Sequence, residues 1–168
     1  MDLIVAADKN CAIGKNGELL YSIPDDMKYF RRMTAGKVVV MGKKTLLSFP
    51  GQKPLKNRTN IVLTSDHNFA PEGVVTVHSF DELFAEIAKY PSDQVMLIGG
   101  GSLYNSLYPF CERAYVTWVD AATEGADTFI PDFRTLRGWF LHGVTQQQIS
   151  GDYSISFATY INRKVRSY

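Results

Sequence analysis

The chain has 168 residues, of which 45% are hydrophobic and 21% charged, and its formal net charge at pH 7 is +1. This length and composition support a sizeable folded core and exclude a disordered chain. A charge near zero predicts no specific nucleic-acid partner and no membrane partner, so any anionic ligand must be held by local clusters. The two cysteines, Cys11 and Cys111, have neither metal-ligand nor disulfide-framework spacing, so free thiols and no metal site are expected.

Residues 1–168 are expected to form a single domain, because the sequence contains no linker, internal repeat or low-complexity tract. The N-terminal apolar run is too short for a signal peptide, and no run reaches membrane-spanning length. These features predict a cytoplasmic protein. No apolar surface stripe demands a partner chain, which favours a monomer.

Apolar, β-branched runs predict a series of strands that alternate with segments of helical spacing. Strands are expected over residues 3–7, 38–41, 61–65, 74–77, 95–98 and 115–119. After the first strand, the glycines and asparagines of residues 8–18 predict a mobile loop rather than a regular element.

Four helices are expected beside these strands. The first begins at Ser22, because a serine followed three residues later by an aspartate, with a proline between them, is typical of a helix start. A short helix follows Gly42, and another begins at Ser79, where Glu82 completes a capping box. The last spans residues 102–108.

The pattern changes after Pro131. Residues 140–148 and 153–161 alternate in polarity and are joined by Ser150-Gly151-Asp152, which predicts an antiparallel hairpin. The segments together predict an α/β fold with a central, mostly parallel eight-stranded sheet, an antiparallel C-terminal hairpin and about four flanking helices.

Asp26 is the unusual residue of the first predicted helix. Helical spacing places it on the apolar face with Met27 and Phe30, and that face offers no lysine or arginine three or four residues away. Burial of an unpaired carboxylate is costly, so a ligand is one candidate partner. The alternative is a first-turn aspartate that only favours the positive end of the helix.

Three of the predicted strands end in groups that suit phosphate. These are Gly42-Lys43-Lys44-Thr45, Leu63-Thr64-Ser65 and the glycine-rich turn Ile98-Gly99-Gly100-Gly101-Ser102. Each alone is more often a surface turn, but together they indicate a ligand with several phosphates. The GxGxxG and GK[ST] spacings are absent, and the paired lysines favour NADP over NAD. A dinucleotide beside one unusual carboxylate predicts hydride transfer.

Several motifs occur in one order along the chain: Ile13-Gly14, the helix with Pro24, Asp26 and Phe30, Val40-Met41-Gly42 with Thr45, Arg58 with Asn60, residues 98–104, Thr117, and residues 125–131. In this order and spacing the chain resembles the dihydrofolate reductase family over essentially its whole length. The resemblance implies reduction of 7,8-dihydrofolate to tetrahydrofolate with NADPH, by hydride transfer to C6 and protonation of N5. This reaction supplies one-carbon metabolism.

The resemblance implies a catalytic group made of Asp26, Tyr21 and Thr117. Asp26 would bind the 2-amino group and N3 of the pterin, Thr117 would support it, and Arg58 would hold the glutamate α-carboxylate of the substrate. The same cleft would bind antifolate inhibitors. The implied substrate-binding residues are Ile4, Ala6, Asp26, Met27, Phe30, Phe49, Leu55, Arg58, Ile98, Tyr104 and Thr117.

The resemblance also implies an NADPH site, with a cis peptide between Gly99 and Gly100. Two positions depart from the family pattern: Tyr21 stands where tryptophan is usual, and Ser102 stands where a related member has arginine. The implied cofactor-binding residues are Ala6, Ile13, Gly14, Leu19, Gly42, Lys43, Lys44, Thr45, Leu63, Thr64, Ser65, Gly99, Gly100, Gly101, Ser102, Leu103 and Tyr104.

Two alternatives remain at this point. One is a related NADPH-dependent reductase that acts on a pyrimidine of flavin biosynthesis. The other is a module that binds NADP without turnover. Arg58 favours a folate because its guanidinium expects a carboxylate tail, whereas Asp26, Thr117 and the predicted mobile loop argue against a module without catalysis.

Overall fold

The computed structural model describes all 168 residues and has the expected α/β class. Its helices are α1 (Pro24–Thr34), α2 (Lys43–Leu47), α3 (Phe80–Ile87) and α4 (Gly101–Leu107). Its strands are β1 (Asp2–Asp8), β2 (Ala12–Lys15), β3 (Glu18–Leu19), β4 (Val38–Gly42), β5 (Thr59–Leu63), β6 (Val74–Val77), β7 (Val95–Gly99), β8 (Arg113–Val119), β9 (Thr128–Phe129), β10 (Trp139–Val144), β11 (Gln148–Ser150) and β12 (Tyr153–Asn162). No helix has the length and apolar character needed to cross a membrane.

The central sheet has the strand order β10-β12-β8-β1-β7-β4-β5-β6. Every pairing from β8 to β6 is parallel, whereas β12 pairs antiparallel with both β8 and β10. The mostly parallel sheet is therefore confirmed. The strand expected over residues 140–148 is divided into β10 and β11, because the chain leaves the ladder between them, and β11 adds a ninth strand.

Apolar side chains cover the sheet on both faces. Along β4, Val38 and Val40 pack into the larger core cluster, while Val39 and Met41 pack into a second one on the other face. Helices α3 and α4 contribute to the larger cluster, and α1 and α2 cover the second. The continuous apolar character of the predicted strands follows from this double burial.

The start of α1 differs from the sequence prediction. Its N-cap is Ile23, which makes no side-chain cap, so the expected cap by Ser22 is wrong. The Asp25 backbone N–H instead donates to Ser150 Oγ at 3.2 Å. Ile23 is buried against the β8 and β12 region, and this tertiary contact fixes how the chain enters the helix. At α3 the prediction is confirmed, since Ser79 Oγ accepts from the Glu82 N–H at 3.1 Å.

A small second sheet with the order β3-β2-β9 contains the segment that was expected to be a loop. Residues 12–19 form a hairpin whose strand β2 pairs with β9. The Asn16 N–H donates to Asp127 Oδ2 at 2.8 Å, and the Asp127 N–H donates to Gly14 O at 3.1 Å. Local composition predicted a loop because this pairing partner is distant in sequence.

Candidate active site

Asp26 lies in the first turn of α1 and faces Thr117 of β8. Thr117 pairs in the sheet with Ala6 of β1, so these residues meet where β1 and β8 approach their carboxyl ends. Ligands of open parallel sheets bind at this edge. The structure therefore brings Asp26 and Thr117 together, as the sequence interpretation expects.

The Asp26 carboxyl is half-buried and has no ion-pair partner, because the ion pairs of the protein join Lys43 to Asp66, Lys89 to Glu86 and Arg134 to Asp132. Burial raises the pKa of Asp26, and the nearby Thr117 hydroxyl opposes that shift in part. No hydrogen bond of ordinary geometry joins the two side chains, and Thr117 Oγ1 is buried without a partner. Both groups are free to bind a ligand that carries polar hydrogen atoms.

Apolar side chains line the space beside Asp26. Phe30, Phe49 and Leu55 are partly buried and pack against a cluster that includes Ile4 and Ile98. We call this apolar surface between α1 and the sheet the slot; its composition suits one face of a flat ring.

The residues at the rim and back of the slot differ in exposure. Met27 lies on α1 beside Asp26 but remains 48% exposed, so part of the apolar lining is available to a ligand. At the back, the Tyr104 hydroxyl donates to Ile4 O at 2.7 Å, which occupies one of the two lone pairs of that carbonyl.

Arg58 lies close to Arg31 and makes no ion pair with a carboxylate of the protein. Burial and, to a lesser degree, the charge of Arg31 lower its pKa, and its Nε atom is buried without a hydrogen-bond partner. Asn60 holds this loop by donating to Leu55 O at 2.9 Å and Arg58 O at 3.2 Å. The loop therefore presents an unpaired guanidinium, which fits an anionic ligand group.

The three expected phosphate-binding turns lie side by side at the carboxyl ends of the neighbouring strands β7, β4 and β5. Helices α2 and α4 begin there with no side-chain cap, so their first N–H groups are free of side-chain acceptors. The Gly99–Gly100 peptide is cis, as expected. A Cβ atom on Gly101 would clash with Thr128 Cγ2, so any larger residue here requires Thr128 of the β2–β9 cover to move. These features fit the pyrophosphate of a dinucleotide.

The two expected lysines have different environments. Lys43 Nζ lies 2.7 Å from Asp66 Oδ2, and the ion pair lowers the pKa of Asp66. Lys44 is exposed and makes no ion pair. Nearby, Thr64 Oγ1 accepts from the Asp66 N–H at 3.1 Å, and Ser65 is exposed. Of the two cations, Lys44 is the one whose charge the protein leaves unpaired.

The remaining expected cofactor residues divide into two groups. Ile13, Gly14 and Leu103 are packed around the Gly42 and Gly101 turns. In contrast, Leu19 is 80% exposed on β3, Ser102 is exposed, and Leu63 is partly buried at the end of β5. The β2–β3 hairpin thus covers the glycine turns with Ile13 and Gly14, while Leu19 points away from the core.

The Tyr21 hydroxyl bonds to Asp8 and Thr123 rather than to Asp26. Sequence reasoning missed Asp8, Thr123 and Asp127 as parts of this region. A charged residue at the end of an apolar strand was the only local signal for Asp8, and neither Thr123 nor Asp127 had one. Their contacts span more than a hundred residues of sequence.

The chain is similar to known proteins over most of its length. A family model described as dihydrofolate reductase matches residues 1–162. The chain is 40% identical over 129 residues to the dihydrofolate reductase of Haemophilus influenzae, and the aligned region covers 77% of each protein. It is 37% identical over 139 residues to dihydrofolate reductase type 3 of Salmonella typhimurium, which covers 83% of this chain and 82% of that protein. A solved structure of dihydrofolate reductase from Enterococcus faecalis, complexed with NADP(H) and RAB-propyl, matches with a TM-score of 0.82 and 34% identity, over 96% of this chain and 95% of that chain. The chain therefore belongs to the dihydrofolate reductase family.

Proposed function

We propose that this dihydrofolate reductase binds 7,8-dihydrofolate in the slot between α1 and the central sheet and reduces it there to 5,6,7,8-tetrahydrofolate, with NADPH as cofactor. The observation that carries the assignment is Asp26, a half-buried carboxylate without an ion-pair partner beside the unpartnered hydroxyl of Thr117. A pterin presents adjacent N–H groups, and such a carboxylate can accept a hydrogen bond from each of them.

Bound NADPH supplies the hydride that C6 of the substrate receives. Asp26 accepts hydrogen bonds from the 2-amino group and N3, and its negative charge stabilises the protonated, cationic pterin from its half-buried position. N5 lies on the other ring of the pterin, so Asp26 cannot reach it directly. Water that enters beneath the β2–β3 hairpin delivers the proton, and the hairpin gates the site.

Arg58 sets the substrate class. Its guanidinium has no carboxylate partner in the protein and lies near Arg31, so it suits the α-carboxylate of a glutamate tail. A ribosylated pyrimidine of flavin biosynthesis lacks that tail and would leave Arg58 unpaired. The family comparisons also favour the folate over this alternative.

Absorbance at the nicotinamide band separates the candidates. Purified protein should oxidise NADPH when 7,8-dihydrofolate is added and should not do so with a ribosylated pyrimidine. Activity with the pyrimidine alone would identify the other reductase, and no turnover with either substrate would indicate a module that only binds NADP.

The protein is further proposed to work as a monomer in the cytoplasm and to bind antifolate inhibitors in the same slot. Cys11 and Cys111 are both free thiols, which supports a reducing compartment. Light scattering of the purified protein tests the first point, since a monomer has the chain mass of 18.9 kDa.

A further inference from the structure

Asp8 is a fully buried carboxylate at the carboxyl end of β1, outside the ligand contacts described above. Its Oδ1 accepts from the backbone N–H groups of Asn10 at 2.8 Å and Ala12 at 3.0 Å. Its Oδ2 accepts from the Tyr21 hydroxyl and the Thr123 N–H, each at 3.2 Å. The two oxygens thus hold donors from three separate segments of the chain.

The chemistry of these groups fixes the direction of the hydrogen bonds around Tyr21. Backbone N–H groups donate to both Asp8 oxygens, so these oxygens act as acceptors and the single hydrogen of the Tyr21 hydroxyl points to Asp8. Thr123 Oγ1, 2.8 Å away, must then donate to the Tyr21 oxygen. The result is a relay from Thr123 through Tyr21 to Asp8. The Tyr21 ring packs edge-on against Tyr153 at 5.0 Å between ring centroids.

The relay lies at the base of the β2–β3 hairpin. Asp8 precedes residues 9–20 and Tyr21 follows them, so the Tyr21–Asp8 bond joins the two ends of this segment. Thr123 belongs to the loop after β8, and the same loop holds the hairpin tip through Lys15 Nζ, which donates to Glu124 O at 3.0 Å. The loop after β8 therefore contacts this segment both at its base, through Thr123, and near its tip, through Glu124.

We propose that the Thr123–Tyr21–Asp8 relay is a latch that sets how fast the hairpin opens and NADPH leaves. The inference rests on the proposed function, in which Ile13 and Gly14 of the hairpin cover the cofactor. Tyr21 is then a positioning residue, because its hydroxyl acts on the cofactor only through the hairpin. Opening of such covers limits turnover in many enzymes.

The variant Y21F tests the latch because it keeps the ring and its packing but removes both hydroxyl bonds. Loss of one net hydrogen bond predicts an increase of about fivefold in the NADPH dissociation rate constant and in the KM for NADPH. For T123V, which changes no residue of the implied catalytic group, the rate of hydride transfer in a single turnover should stay within about twofold of the wild-type rate. T123V should reproduce these changes, and the double variant should add little to either, because both act on one relay.

The matched control is Y153F, which removes a hydroxyl from the neighbouring ring outside the relay and should leave NADPH release unchanged. The latch is rejected if Y21F and T123V release NADPH at the wild-type rate, or if Y153F accelerates release equally. T123V decides the matter if Y21F does not fold. NADPH release is followed by cofactor fluorescence without substrate, so a failure of the latch is distinct from a failure of wild-type protein to reduce dihydrofolate.

Discussion

Burial raises the pKa of the Asp26 carboxyl, because the charged form loses hydration and no cation of the protein replaces it. An acid whose pKa is raised by folding stabilises the folded state at pH values below its unfolded-state pKa. That contribution is lost as the pH rises through the folded-state pKa. At neutral pH the ionised Asp26 therefore lowers the free energy of unfolding of the free protein, and we propose that hydrogen bonds from the ligand offset this loss.

Asp26→Asn should stabilise the free protein at pH 7, because it removes the buried charge and retains the shape of the side chain. The melting temperature should rise by about 2–4 °C, the shift that roughly 1 kcal/mol produces in a chain of this size. The difference should disappear near about pH 3, where the wild-type carboxyl is largely protonated. Scanning calorimetry at both pH values tests this. Asp25→Asn is the control and should not stabilise, and a lower melting temperature for Asp26→Asn at pH 7 would contradict the assignment.

Arg58→Lys should weaken substrate binding because lysine keeps the charge but lacks the planar fork that binds a carboxylate at two points. The KM for dihydrofolate should rise about tenfold or more with little change in kcat, the cost of a lost charged hydrogen bond. Steady-state kinetics should show no such rise in KM with a 7,8-dihydropterin substrate that lacks the glutamate tail. The exposed Lys56 of the same loop provides the control Lys56→Ala. An equal rise in KM with both substrates would show that Arg58 does not bind the glutamate tail.

Asp26 and Arg58 could be predicted from sequence for different reasons. Asp26 was noticed from helical spacing, because no cation stands one turn away, whereas Arg58 came from the family motif. The Asp8–Thr123 contact was beyond sequence reasoning, because it spans 115 residues. A side chain that bonds to a backbone group distant in the sequence produces no periodic pattern in the sequence.

Among the secondary-structure elements, the helices differ in whether the group that caps their first turn is local or distant in sequence. The cap of α3 is local, so the spacing of Ser79 and Glu82 was sufficient to predict it. The first turn of α1 instead receives Ser150 Oγ, 125 residues away from Asp25, and the local serine was misleading. The β2–β3 hairpin was missed for the same reason, since β9 supplies its pairing partner.

Gly101 joins α4 to the hairpin cover, and its replacement tests that contact. In Gly101→Ala the new Cβ would clash with Thr128 Cγ2 and displace Thr128 of β9 from the glycine turn. The Kd for NADPH should rise about tenfold, as fluorescence titration can measure. Gly143→Ala, which meets nothing within 4 Å, should leave the Kd unchanged.

A second substitution identifies the cause of that loss. Thr128→Ser deletes Cγ2 but keeps the hydroxyl that donates to Asp127 Oδ1 at 2.9 Å. The double variant Gly101→Ala with Thr128→Ser should therefore recover most of the affinity for NADPH. If the double variant binds as weakly as Gly101→Ala alone, the clash with Thr128 is not responsible.

Over the whole molecule, apolar runs predicted a sheet covered on both faces, and this is what the two core clusters on β4 show. The order of the strands could not be predicted, because each buried run is compatible with several neighbours. The sheet places the carboxyl ends of β1, β7, β4 and β5 side by side. Each motif alone is weak evidence for a ligand site, but this strand order brings the motifs together at one edge of the sheet.

The core also protects both thiols. Cys111 is 0% exposed and Cys11 is 7% exposed, and burial raises the pKa of each. A disulfide reagent should therefore label neither thiol in the native protein at an appreciable rate, and labelling should accelerate across the urea unfolding transition. Saturating NADPH should slow it further, since binding favours the folded state. Immediate reaction of one thiol in the native protein would contradict this core.

The proposed role of Asp26 is electrostatic: its charge stabilises the protonated pterin during hydride transfer. Single-turnover rates of NADPH oxidation, measured from about pH 5 to pH 8 for wild-type protein and Asp26→Asn, test this role. We expect the rate of Asp26→Asn to fall about a hundredfold or more at pH 7 and to recover in part in acid, where dihydrofolate arrives already protonated. A normal rate for Asp26→Asn at pH 7 would contradict it.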